Sequence, residues 1–159
     1  MHAPENRGDI QQDIQPVLSS NDPGDQFVDR GQVEQVLLNL ILNARDAVID
    51  RAAHAADAYR PTIEVRVTRR LQEGRPGVLF EVADNGTGMS ADTRSKAFDP
   101  FFTTKEPGGG TGLGLSVVGG VVFALNGTVD LSSTEGEGTV VSIWLPEAPV
   151  RLEPPVSPL

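Results

Sequence analysis

Cysteine is absent from the 159 residues, which rules out disulfides and thiolate metal ligands, so no structural zinc site is expected. Aromatics are scarce, with one Trp, one Tyr and six Phe, and the core must therefore rest on Val, Leu, Ile and Ala. Lysine occurs only at Lys96 and Lys105, and 13 basic against 22 acidic residues leave a net charge of -9. That balance excludes a broad nucleic-acid or anionic-membrane surface, which needs clustered Lys and Arg. Any polyphosphate would have to be held locally, by backbone amides, a metal ion and one or two cations. No apolar run reaches the roughly 18 to 20 residues of a membrane span, and the polar N-terminus lacks the layout of a signal peptide. The expectation is a cytoplasmic segment without membrane contact of its own.

What remains has the length of one domain with a proper core. Residues 1–28 are polar and turn-rich, with short strands expected near Ile14 to Leu18 and Gln26 to Asp29. From Arg30 to about Asp57 the apolar residues Val33, Leu37, Leu40, Ile41, Ala44 and Val48 recur at three and four, which predicts a long helix. Ile63, Val65 and Val67 alternate with polar residues as a half-exposed strand, and Val78 to Ala83 makes a second after a turn at Gly74 to Gly77. A short helix is expected from Ser90 to Ala97, a mobile loop from Pro100 to Gly110, a helix from Gly112 to Leu125, a turn at Asn126-Gly127, and two closing strands, Thr128 to Ser132 and Thr139 to Leu145. Pro146 to Leu159 holds five prolines and reads as a tail or linker. The expected organisation is an N-terminal segment 1–28, a domain 29–146 and a tail 147–159.

Three places carry chemistry. On the long helix, Gln32, Gln35, Asn39, Asn43, Asp46 and Asp50 project as one narrow polar stripe, flanked by Leu38, Leu42 and Ile49 on one side and Leu40, Ala44 and Ala47 on the other. A narrow solvated face is the plain reading. The functional reading is a cleft edge whose Asn amide oxygens suit Mg²⁺, which prefers oxygen donors. Asp84-Asn-Gly86-Thr-Gly88 follows a strand directly, so Asp84 stands at the strand's end while the glycines let backbone approach a flat ligand. Its match to a dinucleotide fingerprint fails on context, because Pro100 stops the following helix before a crossover can form. Finally, Phe98-Asp-Pro-Phe-Phe-Thr-Thr104-Lys105 leads into five glycines within Gly108 to Gly114 at the mouth of a helix. Free amides and the positive end of the helix dipole favour an anion there, and Lys105 adds a point charge.

Together these residues resemble the GHKL ATPase superfamily with its Bergerat fold, and within it the sensor-histidine-kinase branch. Asn39-Leu-Ile-Leu-Asn43-Ala-Arg-Asp46-Ala resembles its N box, Asp84 to Gly88 its G1 box, Phe98 to Lys105 its F box, and Gly110-Thr-Gly-Leu-Gly-Leu115 its G2 box, in the family's order and spacing. The resemblance implies an α/β, two-layer sandwich: a mixed sheet covered on one face by about three helices, with a flexible ATP lid. It implies ATP and Mg²⁺ as cofactors, with Asn43 coordinating the metal and Asn39 and Asp46 beside it. Asp84 would accept a hydrogen bond from the adenine amino group, assisted by Thr139 through its hydroxyl or a water, while Gly86, Gly88 and Met89 line the base pocket. Thr104, Lys105, Gly110, Thr111, Gly112, Leu113, Gly114 and Leu115 would hold the phosphates, with Asn43 and Lys105 acting in catalysis.

By the same resemblance the domain presents the γ-phosphate of Mg-ATP to a histidine on a separate dimerisation and phosphoacceptor domain, in the same or a partner chain, upstream of a response regulator. The parent protein would then be open to membrane anchoring elsewhere. His2 and His54, the only histidines, lack the context of a phosphoacceptor. Two other readings of this fold stay open: a stand-alone nucleotide-binding module or anti-sigma serine kinase, and a hydrolytic ATPase. The hydrolytic branch carries a Glu one turn before the metal-binding Asn, and Asn39 stands there instead. Gly119-Gly120 leaves open whether the helix after the lid is kinked.

Overall fold

The computed structural model describes residues 15–20, 30–100, 102 and 114–147, and for 15–20 the backbone alone. The elements run β1 (Gln15–Ser20), α1 (Arg30–Ala52), β2 (Thr62–Gln72), β3 (Arg75–Asp84), α2 (Ala91–Ser95), α3 (Gly114–Ala124), β4 (Thr128–Thr134) and β5 (Gly138–Pro146). The five strands form one mixed sheet in the order β1-β2-β3-β5-β4. Its β1–β2 pair is parallel and the other three are antiparallel.

Strand alternation decides which side chains reach the helices. The register sets Ile63, Val65 and Val67 of β2 beside Asp84, Val82 and Phe80 of β3. It sets these in turn beside Thr139, Val141 and Ile143 of β5. The apolar members of these rows pack against Val36, Leu40, Ala44 and Val48 of α1 and Val118 and Val122 of α3. Asp84 and Thr139 are thus the polar end of an otherwise apolar face, which is how a carboxylate comes to be half-buried there.

α1 buries its fourth-residue row Val36–Leu40–Ala44–Val48, with Val33 and Leu37 partly buried beside it. Ile41, expected on that face, is instead 37% exposed, because it lies 100° of helical turn beyond Leu40. The helix also stops at Ala52 rather than near Asp57. The Ala-rich stretch after it has good helix propensity, but residues 53–61 fold back over the end of β3, and tertiary contacts override propensity. α3 remains one continuous helix through Gly119-Gly120, with Phe98 packed at ordinary van der Waals distance from the space beside Gly119. It ends where Asn126 takes the left-handed conformation (φ 56). The N–H groups of Gly127 and Asn126 then close on the carbonyls of Val122 (2.9 Å) and Phe123 (3.0 Å), a Schellman cap. Ser90 caps α2 by accepting from Thr93 N–H at 3.2 Å.

The sheet's other face carries Trp144, only 3% exposed. Its indole lies over Gly77, where a side chain would collide with the ring. Its Nε1 donates to the Arg70 carbonyl at 2.9 Å, and Arg75 stacks 5.7 Å from the ring centre.

Candidate functional site

The middle of α1 is the spine of the site. At Ala47, the Gly86 backbone comes so close that a Cβ on residue 86 would sit 2.5 Å from the Ala47 carbonyl carbon. The Thr87 N–H donates to the Ala47 carbonyl at 3.2 Å. One helical turn earlier, roughly 6 Å along the axis, the Asn43 amide faces the first residue of α3: a Cβ on Gly114 would lie 3.2 Å from Asn43 Nδ2 and 3.4 Å from Oδ1. The Asp84–Gly88 turn and the N-terminus of α3 therefore flank the same stretch of helix. Glycine is required at Gly86 by this close approach.

Asp84 ends β3 with its carboxyl partly buried. Burial pushes its pKa from 3.8 up to about 6, against the opposing pull of hydrogen bonds from the backbone N–H groups of Gly86 and Thr139. The Gly86 N–H reaches Asp84 Oδ1 at 2.8 Å. A carboxylate so placed is a strong acceptor in a low-dielectric pocket, suited to read an N–H donor on a ligand.

The floor of the turn is stitched to the β4–β5 hairpin. Met89 N–H donates to Ser133 Oγ at 2.8 Å, and Ser133 Oγ lies 2.8 Å from Thr139 Oγ1 and 3.0 Å from the Gly138 carbonyl. Gly136 N–H donates to the Thr87 carbonyl at 2.6 Å, and Arg94 Nη1 to the Ser133 carbonyl at 3.3 Å. Gly88 (φ +63) and Gly138 (φ +140) sit against the Thr134 and Asp84 carbonyls, where any side chain would collide.

A second set of contacts holds the turn from the far side. Arg51 Nη1 lies 2.8, 3.3 and 3.2 Å from the carbonyls of Asn85, Gly86 and Glu137. Its guanidinium stacks 4.8 Å from the Tyr59 ring centre. Tyr59 Oη lies 2.9 Å from the Asn85 carbonyl and 3.0 Å from Asn85 Oδ1. Burial raises the Tyr59 pKa, offset in part by Arg51, and Asp84 raises it further.

Of the residues singled out from sequence, Asn39, Asn43, Asp46, Asp84, Gly86, Gly88, Met89, Gly114, Leu115 and Thr139 are described, and none is fully exposed. Asp46 pairs with Arg45 at 3.2 Å. Within the polar stripe Gln35 and Asp50 are exposed, whereas Gln32, Asn39, Asn43 and Asp46 are half-buried. Thr139, expected to assist through its hydroxyl or a water, instead meets the Asp84 carboxylate through its backbone N–H, because Ser133 opposite it on β4 takes the hydroxyl at 2.8 Å. Thr104, Lys105, Gly110, Thr111, Gly112 and Leu113 lie outside the described residues, as does most of the expected lid. Sequence reasoning passed over Ser133, Arg51 and Tyr59. Ser133 stands opposite Thr139 in the β4–β5 register, a pairing that the Gly136 hairpin signal foreshadows. No local pattern marks Arg51, whose hydrogen-bond partners are 34 to 86 residues away in sequence.

Residues 28–149 match the family described as histidine kinase-, DNA gyrase B-, and HSP90-like ATPase. Similar relatives include sensor kinase CckA of Brucella abortus (strain 2308), 46% identical over 74% of this chain and 13% of its own length. Sensor histidine kinase ZraS of Escherichia coli (strain K12) is 36% identical over 89% of this chain and 28% of its own length. The chain thus spans less than a third of either relative. Among solved structures, full-length ShkA in complex with AMPPNP superposes with a TM-score of 0.67 at 27% identity, covering 85% of this chain and 26% of that one.

Proposed function

Since the chain belongs to the histidine kinase-, DNA gyrase B-, and HSP90-like ATPase family, we propose that it is the ATP-binding catalytic domain of a two-component sensor histidine kinase. In this reading it hands the γ-phosphate of Mg-ATP to a histidine on a separate phosphoacceptor domain, and a response regulator receives the group afterwards. The observation that carries the reading is the arrangement along α1, with the half-buried Asp84 turn packed at Ala47 and the Asn43 amide set against the first residue of α3.

The donor chemistry fits the nucleotide and its metal. Asp84 offers a desolvated carboxylate for the adenine amino group, in a pocket whose backbone Gly86 and Gly88 bring close. Asn43 offers a neutral amide oxygen of the kind Mg²⁺ takes alongside phosphate oxygens. Asn39 supports the metal and phosphates from one turn before, with Asp46 beside them. The amide groups that open α3, at Gly114 and Leu115, favour an anion at a helix N-terminus. Lys105, Thr104, Thr111 and the glycines before Gly114 are assigned to the phosphates on the sequence pattern alone. Bound Mg²⁺ would supply charge neutralisation, and the chain's own residues position the nucleotide, which is most of what phosphoryl transfer asks of a protein.

A kinase domain of this kind should bind ATP yet leave water unactivated. One turn before Asn43 stands Asn39, an amide without useful basicity. Glu34, the nearest upstream carboxylate, is exposed and pairs with Arg30 at 2.8 Å. The test is incubation with γ-labelled ATP, Mg²⁺ and a helical phosphoacceptor domain of a sensor kinase. Acid-labile label on that domain's histidine, absent with Asn43→Ala, supports the reading. Turnover near about 1 s⁻¹ without any acceptor, lost in Asn43→Ala, would replace it with a hydrolytic ATPase.

A further inference from the structure

We infer that Arg51 is the positioning residue for base recognition: by gathering the carbonyls of Asn85, Gly86 and Glu137, and backed by the Tyr59 ring, it fixes the peptide planes that aim the turn at the base. The inference rests on the adenine-reading role proposed for Asp84.

A trans peptide is planar, so its C=O and N–H point in opposite directions. When Arg51 Nη1 holds the Asn85 carbonyl at 2.8 Å, the N–H of the same peptide, which belongs to Gly86, is turned the other way, and there it meets Asp84 Oδ1 at 2.8 Å. The next peptide repeats the arrangement. The Gly86 carbonyl lies 3.3 Å from Arg51 Nη1, and the Thr87 N–H points to the Ala47 carbonyl at 3.2 Å. One cation therefore orients two consecutive peptides, of which the first locates the Asp84 carboxylate and the second fixes the turn to α1.

The third contact, to the Glu137 carbonyl at 3.2 Å, brings in the β4–β5 hairpin. That hairpin also receives Met89 through Ser133 and returns Gly136 N–H to Thr87. Three segments that meet around the base pocket, namely the end of α1, the Asp84 turn and the hairpin, thus share one guanidinium. Tyr59 and Asn85 keep it in place. Asn85 Oδ1 accepts from Thr62 N–H at 2.8 Å and its Nδ2 donates to the Arg60 carbonyl at 2.7 Å. The turn cannot then slide without breaking the chain's crossing into β2. A lysine does not reproduce this arrangement: its compact ammonium has no planar face to lie against the Tyr59 ring, so the nitrogen that gathers the three carbonyls loses the backing that holds it there.

The test compares Mg-ATP and Mg-GTP binding by calorimetry in wild type, Arg51→Lys, Arg51→Ala and Tyr59→Phe. Arg51→Lys and Arg51→Ala should each weaken Mg-ATP about tenfold or more while changing Mg-GTP by no more than about twofold, so the preference for adenine collapses. Tyr59→Phe should lose about threefold of the same preference. A merely structural contribution would lower both nucleotides in parallel and leave their ratio unchanged, and that outcome overturns the inference. So does a ratio within about twofold of wild type in the folded variants. Should Arg51→Ala fail to fold, Arg51→Lys and Tyr59→Phe decide by the same ratio. Wild-type protein that binds neither nucleotide, or both equally, sinks the reading of Asp84 itself and is thereby told apart from a failure at Arg51.

Discussion

Adenosine binding should weaken by up to about tenfold between about pH 7.5 and about pH 5, because the ionised Asp84 carboxylate accepts from the adenine amino group more strongly than the protonated carboxyl does. Its pKa stands at about 6, raised by burial. At pH 5 roughly one molecule in eleven then carries the carboxylate, whereas a carboxyl left at its ordinary value would be more than about nine-tenths ionised. Adenosine is the proper probe, since it has no phosphate to titrate in the same range. The assay is calorimetric titration at half-unit steps of pH, with Asp84→Asn beside wild type, and the variant should bind weakly with no pH dependence. A wild-type affinity constant across that range would refute both the burial argument and the acceptor role. The same shift has a consequence for the empty protein. A carboxyl whose folded pKa is raised contributes stability that is fully present below about pH 3.8 and is lost as the pH climbs through about 6. At neutral pH the ionised Asp84 is therefore a burden, at most about 3 kcal/mol from the shift and closer to 1 to 2 once screening of the partly exposed group is allowed for. Asp84→Asn should raise the melting temperature of the nucleotide-free domain while abolishing most of its adenosine binding.

Gly138→Ala should lower the melting temperature by about 4 to 8 °C, since a left-handed backbone and a collision with the Asp84 carbonyl cost about 2 kcal/mol or more. Scanning calorimetry would show it, and an unchanged transition would refute the packing described for the hairpin. Asn43→Ala should leave adenosine affinity within about twofold of wild type yet remove the Mg²⁺-dependent gain in ATP affinity, which titrations with and without the metal would separate. Glu34→Gln should leave the slow ATP hydrolysis of the isolated domain unchanged within about twofold, because that carboxylate is exposed and engaged with Arg30. A hundredfold drop, on the order expected for loss of a general base, would make Glu34 the base after all.

Much of the fold is legible in the sequence because periodicity reports burial directly. The alternation of Ile63, Val65 and Val67 and the recurrence of Leu40, Ala44 and Val48 are consequences of one apolar face per element, while Val36, which heads the buried row, is not among the residues the spacing singles out. The Asp84 turn is legible for a similar reason: a strand that ends in Asp and then glycines must deliver a carboxylate at its edge. The end of α1 is not, since nothing local in Ala52 to Ala58 tells a helix from the loop that folds over Asn85. Exposure of Leu38, Ile41 and Leu42 on α1 likewise depends on what neighbouring elements cover, which spacing alone does not contain. The contacts of Arg51 with Asn85 and Glu137 depend on three distant segments meeting, and no window along the chain holds them together.

Trp144 is the only tryptophan in the chain, and its indole lies on the face of the sheet turned away from α1 and the Asp84 turn, folded over Gly77 and tied to Arg70. Its fluorescence should therefore be blue-shifted in the native protein and shift to the red as β2, β3 and β5 come apart. Filling the nucleotide groove, on the opposite side, should barely move it. The domain thus carries an intrinsic optical gauge of sheet integrity that stays silent to ligand. Adding nucleotide at constant temperature would leave the emission where it is, and a denaturant series followed at the same wavelength would report unfolding alone.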